Sequence, residues 1–187
     1  DITSDFTLTD DEERYVVPRT ILVATSSVLT VAPGVEIKFY SGGIHVEGQL
    51  VVSGTAEDPV FINTLNGNSV GTISVGGGWV DGVYVGTNAS ATIDNARIEN
   101  IDSIVAYDNA RREVSNTDMA GVSDGIYALD SAQIFIASSA IRDTPNKSFP
   151  NTSPPVIVTG TTGASTEIPA HPSTPETVVS VIVAFPL

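Results

Sequence analysis

The segments GVYVGTNASATIDNARIENID, SIVAYDNARREVSNTDMAGVSD and GIYALDSAQIFIASSAIRDTP follow one another between Gly82 and Pro145 and share one pattern. Val83, Ile104 and Ile126 align at steps of 21 and 22 residues. Ile93, Val114 and Ile136 keep the same steps, as do Ile98, Met119 and Ile141. A small polar column, Asn95, Asn116 and Ser138, travels with them, and beside it run Asn88, Asn109 and Ser131. A period in the low twenties predicts a solenoid, in which each coil buries its apolar face only against its neighbours.

The local pattern decides which solenoid. Apolar residues alternate over short spans, as in Val83 and Val85, Ile104 and Ala106, Ile126 and Ala128. That is the period of a strand, not of a helix. Asn, Asp, Gly and Ser separate the spans, and these residues accept turns and left-handed backbone. A leucine-rich repeat needs several Leu per unit, and the three units hold only Leu129. The expectation is parallel β-coils stacked about 4.8 Å apart, like residue above like. The Asn column then forms a ladder of side-chain amides bonded along the axis, or sits in turns, or both.

The same step operates earlier, because Leu29 to Leu50 and Val31 to Val52 are each 21 residues. Val28–Val31, Val35–Phe39, Ile44–Val46, Gln49–Val52 and Val60–Ile62 read as strands, punctuated by Pro33-Gly34, Gly42-Gly43, Ser53-Gly54 and Asp58-Pro59. The order VLTVAPGVEIKF, IHVEGQLVVSGT, DPVFINT, then a Trp and DGVYV, resembles the opening coils of right-handed parallel β-helix domains in exported and cell-surface proteins of bacteria and archaea. The resemblance covers about residues 15–145. It implies that fold and says little of activity, since lyases, hydrolases, adhesins and structural modules share it.

The resemblance makes a carbohydrate-cleaving β-helix the enzymatic alternative. Such hydrolases use clustered Asp on one coil face, and such lyases use calcium with a basic residue. Asp94, Asp108, Asp118, Asp124 and Asp130 lie in the repeats, with Arg97, Arg111 and Arg112 nearby. Asp94 aligns with Ser115 and Ala137, the preceding counterpart of Asp108 is Thr87, and no two of these Asp form an adjacent pair of the hydrolase type. His45 lies in a strand and His171 in a Pro-rich stretch; no HExxH, no Ser-His-Asp spacing and no phosphate-binding glycine loop accompanies them. The four carboxylates Asp10–Glu13 lack EF-hand spacing and read as a solvated turn. No catalytic residue, metal or cofactor is therefore assigned, and no regular Thr-x-Thr face for ice is present.

Residues 63–81 break the period, since Ile44 to Val83 spans 39 residues. This excursion carries Gly76-Gly77-Gly78 and the single Trp79, which is either a ligand-contacting aromatic or a cover over the coil flank. After Asp143 the text turns rich in Pro, Ser and Thr with one short strand, Val156–Val158, before the uncharged Thr177–Leu187, TVVSVIVAFPL. Exposed, that tail is an aggregation hazard. It is expected either to return to its own stack or to add to the sheet of another copy through Val178, Val179, Val181, Ile182, Val183 and Phe185. The sequons at Asn88, Asn146 and Asn151 are glycosylation candidates.

With 8 Lys and Arg against 22 Asp and Glu, the net charge is −14, a field that repels nucleic acid. No apolar run reaches the roughly 18 residues of a membrane span. The chain lacks Cys and opens at Asp1 without Met, which predicts a processed or partial chain and fits export. The expectation is a cap strand or arm at 1–14, a right-handed parallel β-helix of about six coils at 15–145, and an extension with a terminal strand at 146–187. Its expected role is a non-catalytic extracellular or cell-surface structural subunit that partners with copies of itself in a filament or surface layer. A glycan-binding or glycan-cleaving surface module is the alternative.

Overall fold

The computed structural model describes residues 1–11, 14–65, 71–76, 78–80, 83–85, 88–123, 125–128, 132–142 and 156–159. The described residues are all-β, with three parallel sheets and no helix. The first sheet runs β1 (Phe6–Leu8), β4 (Val28–Val31), β7 (Gln49–Ser53), β12 (Ser90–Asp94), β15 (Arg111–Ser115), β18 (Gln133–Ala137) and β20 (Val156–Thr159). The second runs β2 (Tyr15–Val17), β5 (Glu36–Phe39), β8 (Val60–Thr64), β13 (Ala96–Glu99), β16 (Asp118–Ala120) and β19 (Ala140–Arg142). The third holds β3 (Ile21–Val23), β6 (Ile44–Val46), β9 (Thr72–Val75), β14 (Ser103–Ala106) and β17 (Gly125–Ala128). The chain visits the three sheets in the same cyclic order again and again, as a parallel β-helix or solenoid requires. One hairpin, β10 (Gly78–Val80) with β11 (Val83–Val85), is antiparallel; it takes up the end of the stretch 63–81 and the start of the first repeat, so Ile73 and not Val83 stands in register with Ile104.

Strand alternation places one side chain in two inside the stack. The predicted column Ile93, Val114 and Ile136 is one interior file, which Leu8, Val31 and Val52 extend in register. On the second sheet Ile37, Ile62, Ile98, Met119 and Ile141 form another. On the third, Ile21, Ile44, Ile73, Ile104 and Ile126 do the same. One file breaks the rule: Leu29, Leu50, Ala91, Arg112 and Ile134 are in register, so a guanidinium points where the rest are apolar. Arg112 is fully buried; Nη2 donates to the Ile73 carbonyl at 3.2 Å, while Nε and Nη1 have no partner.

The corners explain the polar column. Asn95, Asn116 and Ser138 each take φ 49°, a left-handed bend that Asn tolerates better than most residues. Their amides do not run in a ladder from one Asn to the next, as one sequence expectation had it. Asn95 Nδ2 donates to Asp94 Oδ2 at 2.9 Å and Asn116 Nδ2 to Asp94 Oδ1 at 2.9 Å, because a carboxylate beside the column is the stronger acceptor. Just inside this corner the hydroxyls of Thr117 and Ser139 replace missing backbone bonds. The Ala96 amide donates to Thr117 Oγ1 (3.4 Å), and the Thr117 amide donates to Ser139 Oγ (3.2 Å). Thr117→Val keeps the shape and orphans the buried Ala96 amide. It should cost about 1–3 kcal/mol in urea unfolding, and a change under about 0.5 kcal/mol would show that the hydroxyl chain is dispensable.

Glycine is required where coils touch backbone to backbone. A Cβ at Gly43 would run into the Thr72 carbonyl of the next rung, and Gly42 beside it takes φ 77°.

Candidate functional site

Two places carry more than packing. The first is the outer face of the third sheet, where the register puts His45 of β6 directly beside Ser74 of β9. Tyr107 follows β14, one rung further on, so three successive rungs converge. His45 Nδ1 lies 2.9 Å from Ser74 Oγ and 3.0 Å from Tyr107 Oη, and the two rings stack with centroids 6.0 Å apart. On the other side of the imidazole, Nε2 lies 3.8 Å from Glu47 Oε1. The imidazole and carboxylate side chains are only 20% and 16% exposed.

Burial pulls the His45 pKa below its ordinary 6.5, and the nearby Glu47 carboxylate only partly restores it. Tyr107 is pushed up, chiefly by burial and also by the charges of Asp108 and Glu47, with its bond to Ser74 acting the other way. A neutral imidazole whose Nδ1 accepts from either of these hydroxyls carries its proton on Nε2, facing Glu47. Ser74 also lines a polar groove of about 310 Å³ along the corner between the second and third sheets, with Thr20, Ser41, Thr72 and Asp102.

The second place is the first rung. Phe6, Leu8, Tyr15, Val17 and Ile21, with Ile2 bridged to Val23, surround an apolar mouth of about 260 Å³. The interior files begin here, and β1 and β2 end their sheets. Phe6 at 53% and Val16 at 46% exposure are two of the four large exposed apolar side chains among the described residues.

The residues singled out from sequence fall as follows. Asn88 is exposed two residues before β12. Trp79 lies in β10, its backbone paired with Tyr84. Asn146, Asn151, Val178, Val179, Val181, Ile182, Val183 and Phe185 lie outside the described residues, as do Asp124 and Asp130. Asp94 is occupied by Ser115, Asn116 and Asn95. Arg111 pairs with Glu113 at 2.6 Å and covers the Phe135 ring, whereas Arg112 is internal. Among the described residues no group of three or more His, Cys, Asp and Glu could hold a metal ion, and no helix is long and apolar enough to cross a membrane.

Sequence reasoning missed the His45 constellation. Ser74 and Tyr107 stand 29 and 62 residues from His45, across the excursion that breaks the count. Aligning Ile44 with Ile73 instead of with Val83 would have found the first pair. No protein-family model, no curated protein and no solved structure matches this chain.

Proposed function

We propose that this chain is a non-catalytic structural subunit, built as a right-handed parallel β-helix, that assembles end to end with copies of itself outside the cell. The hand follows from chain physics: crossovers between parallel strands of one sheet are right-handed in about 98% of cases. The open first rung carries the reading. An apolar core ending at a mouth that no described residue covers, rimmed by Phe6 and Val16, is a surface that a lone molecule in water does not keep without cost. A contact between the two different ends of a stack does not close into a ring and so propagates. The uncharged stretch Thr177–Leu187 is the proposed occupant, added as a donated strand along β1 or β2 of the next copy. The charge of −14 keeps the flanks of such polymers apart. Export rests on the composition and the resemblance set out above.

The test is negative-stain microscopy with sedimentation of the full chain, of Phe6→Asp, and of a chain lacking residues 174–187. Wild type should form elongated polymers, while both variants stay folded and monomeric. A wild type that is monomeric at every concentration sinks the proposal. The polar groove favours a second reading as a glycan-binding surface module, because hydroxyls and one carboxylate there face a polyhydroxylated ligand's chemistry. Unchanged assembly in both variants together with saturable binding to polysaccharide would establish that reading instead.

A further inference from the structure

We propose that Ser74 is a base-activated nucleophile that takes up an acyl group from an activated ester or thioester. A serine hydroxyl is a poor nucleophile until a neighbouring base accepts its proton in the attacking geometry. Ser74 Oγ meets that condition, since it lies 2.9 Å from His45 Nδ1 and opens onto the polar groove with Thr72 and Asp102. The third member of the constellation is Glu47, whose Oε1 at 3.8 Å from Nε2 favours the tautomer with Nδ1 free to accept. Nucleophile and base are thus within hydrogen-bond reach on one face, and the carboxylate, too far for a hydrogen bond, acts on the ring through its charge.

The chemistry balances without any other reagent. Ser74 Oγ forms a bond to the acyl carbon as its proton passes to His45 Nδ1. The bond from the acyl carbon to the departing alkoxide or thiolate then breaks, and His45 returns the proton to that leaving group. What the site lacks sets the expected outcome. β9 is bonded into its sheet by β6 on one side and β14 on the other, so its amides are committed to the ladder and build no oxyanion hole. Such donors commonly contribute a factor of about 10² to 10³. Acylation is therefore slow, and the ester accumulates instead of turning over, which agrees with a structural subunit that carries a modification.

Tyr107 sharpens the proposal. Its Oη sits 3.0 Å from the same Nδ1, which has a single lone pair, so it competes with Ser74 for the base. The full-length chain treated with p-nitrophenyl acetate should gain one acetyl group per molecule, mapped to Ser74. Ser74→Ala abolishes that adduct, and His45→Gln slows it by about 10²-fold or more. Tyr107→Phe, which frees the lone pair, should speed acylation several-fold. The rate should persist through neutral pH and fall only on the acid side of the ordinary histidine range, because burial holds His45 neutral. The charged or titratable groups facing this imidazole are Glu47 and Tyr107, with Asp108 beside the latter. Acetyl scattered over lysines and other hydroxyls, an adduct on Tyr107, or an unchanged rate in a folded His45→Gln would each overturn the assignment. Loss of assembly with acylation intact would strike the proposed function alone.

Discussion

Replacing Arg112 by Met is expected to stabilise the folded chain by about 1–4 kcal/mol, an unusual sign for a core substitution. The cause is the file in which Arg112 stands, between Ala91 and Ile134, with one hydrogen bond to the Ile73 carbonyl and no carboxylate among its partners. Burial drives its pKa from the ordinary arginine value down to about 9. That shift corresponds to roughly 5 kcal/mol of differential cost for the charged form. Methionine fills a similar length of space without the charge, and Ala91 leaves the room.

The pH dependence supplies a second check. The folded-state pKa lies below the unfolded one, so above about pH 9, up to the ordinary arginine range, the unfolded chain holds a proton that the folded chain has released. The penalty is full below pH 9 and shrinks as pH rises through that window. The stability gap between Arg112→Met and wild type should therefore narrow by about 1.4 kcal/mol per pH unit above pH 9. Ionisation of Tyr107 and the other tyrosines is common to both proteins and cancels in the difference. Urea unfolding at pH 7.5, 9 and 10.5 measures it. A destabilised Met variant, or a gap constant with pH, would show that the guanidinium is better compensated than its contacts indicate.

Gly43→Ala is expected to act in the opposite direction and to cost roughly 3 kcal/mol or more, a large share of the stability of a typical domain. The obstacle to a methyl group there is the Thr72 carbonyl of the adjoining rung, which is backbone and cannot swing aside. Relief would require the second and third rungs to separate at the corner, which would also pull His45 from Ser74. Circular dichroism during thermal unfolding reports the stability, and loss of Ser74 acylation in any fraction that stays folded reports the local displacement. A variant that melts within a few degrees of wild type would contradict so close an approach of the coils.

Much of this architecture was written in the spacing of a few columns. Ile93, Val114 and Ile136 keep one step and one direction, so the interior file could be named before any coordinate was known. The same arithmetic places Arg112 inside, since it shares strand parity with Val114 and register with Ala91. From sequence, Arg112 stands out only as a basic residue near the repeat aspartates, because Arg is rarely interior. The amide ladder failed for a local reason: Asp94 stands beside the Asn column and offers a charged acceptor. The constellation at His45 was hidden by the excursion at residues 63–81, which shifts the count between rungs by an amount that no pattern reveals. Contacts across such an insertion depend on which rung follows which, and that is a property of the folded stack.

The bend at Asn95, Asn116 and Ser138 has the same φ of 49° three times over. Each turn thus hands the chain to the next in the same orientation, so molecular length is quantised. Gaining or losing an entire turn, some 4.8 Å of axis, leaves every inward residue inward. Gaining or losing a single residue within a strand reverses which side chains face the core from that point to the next corner.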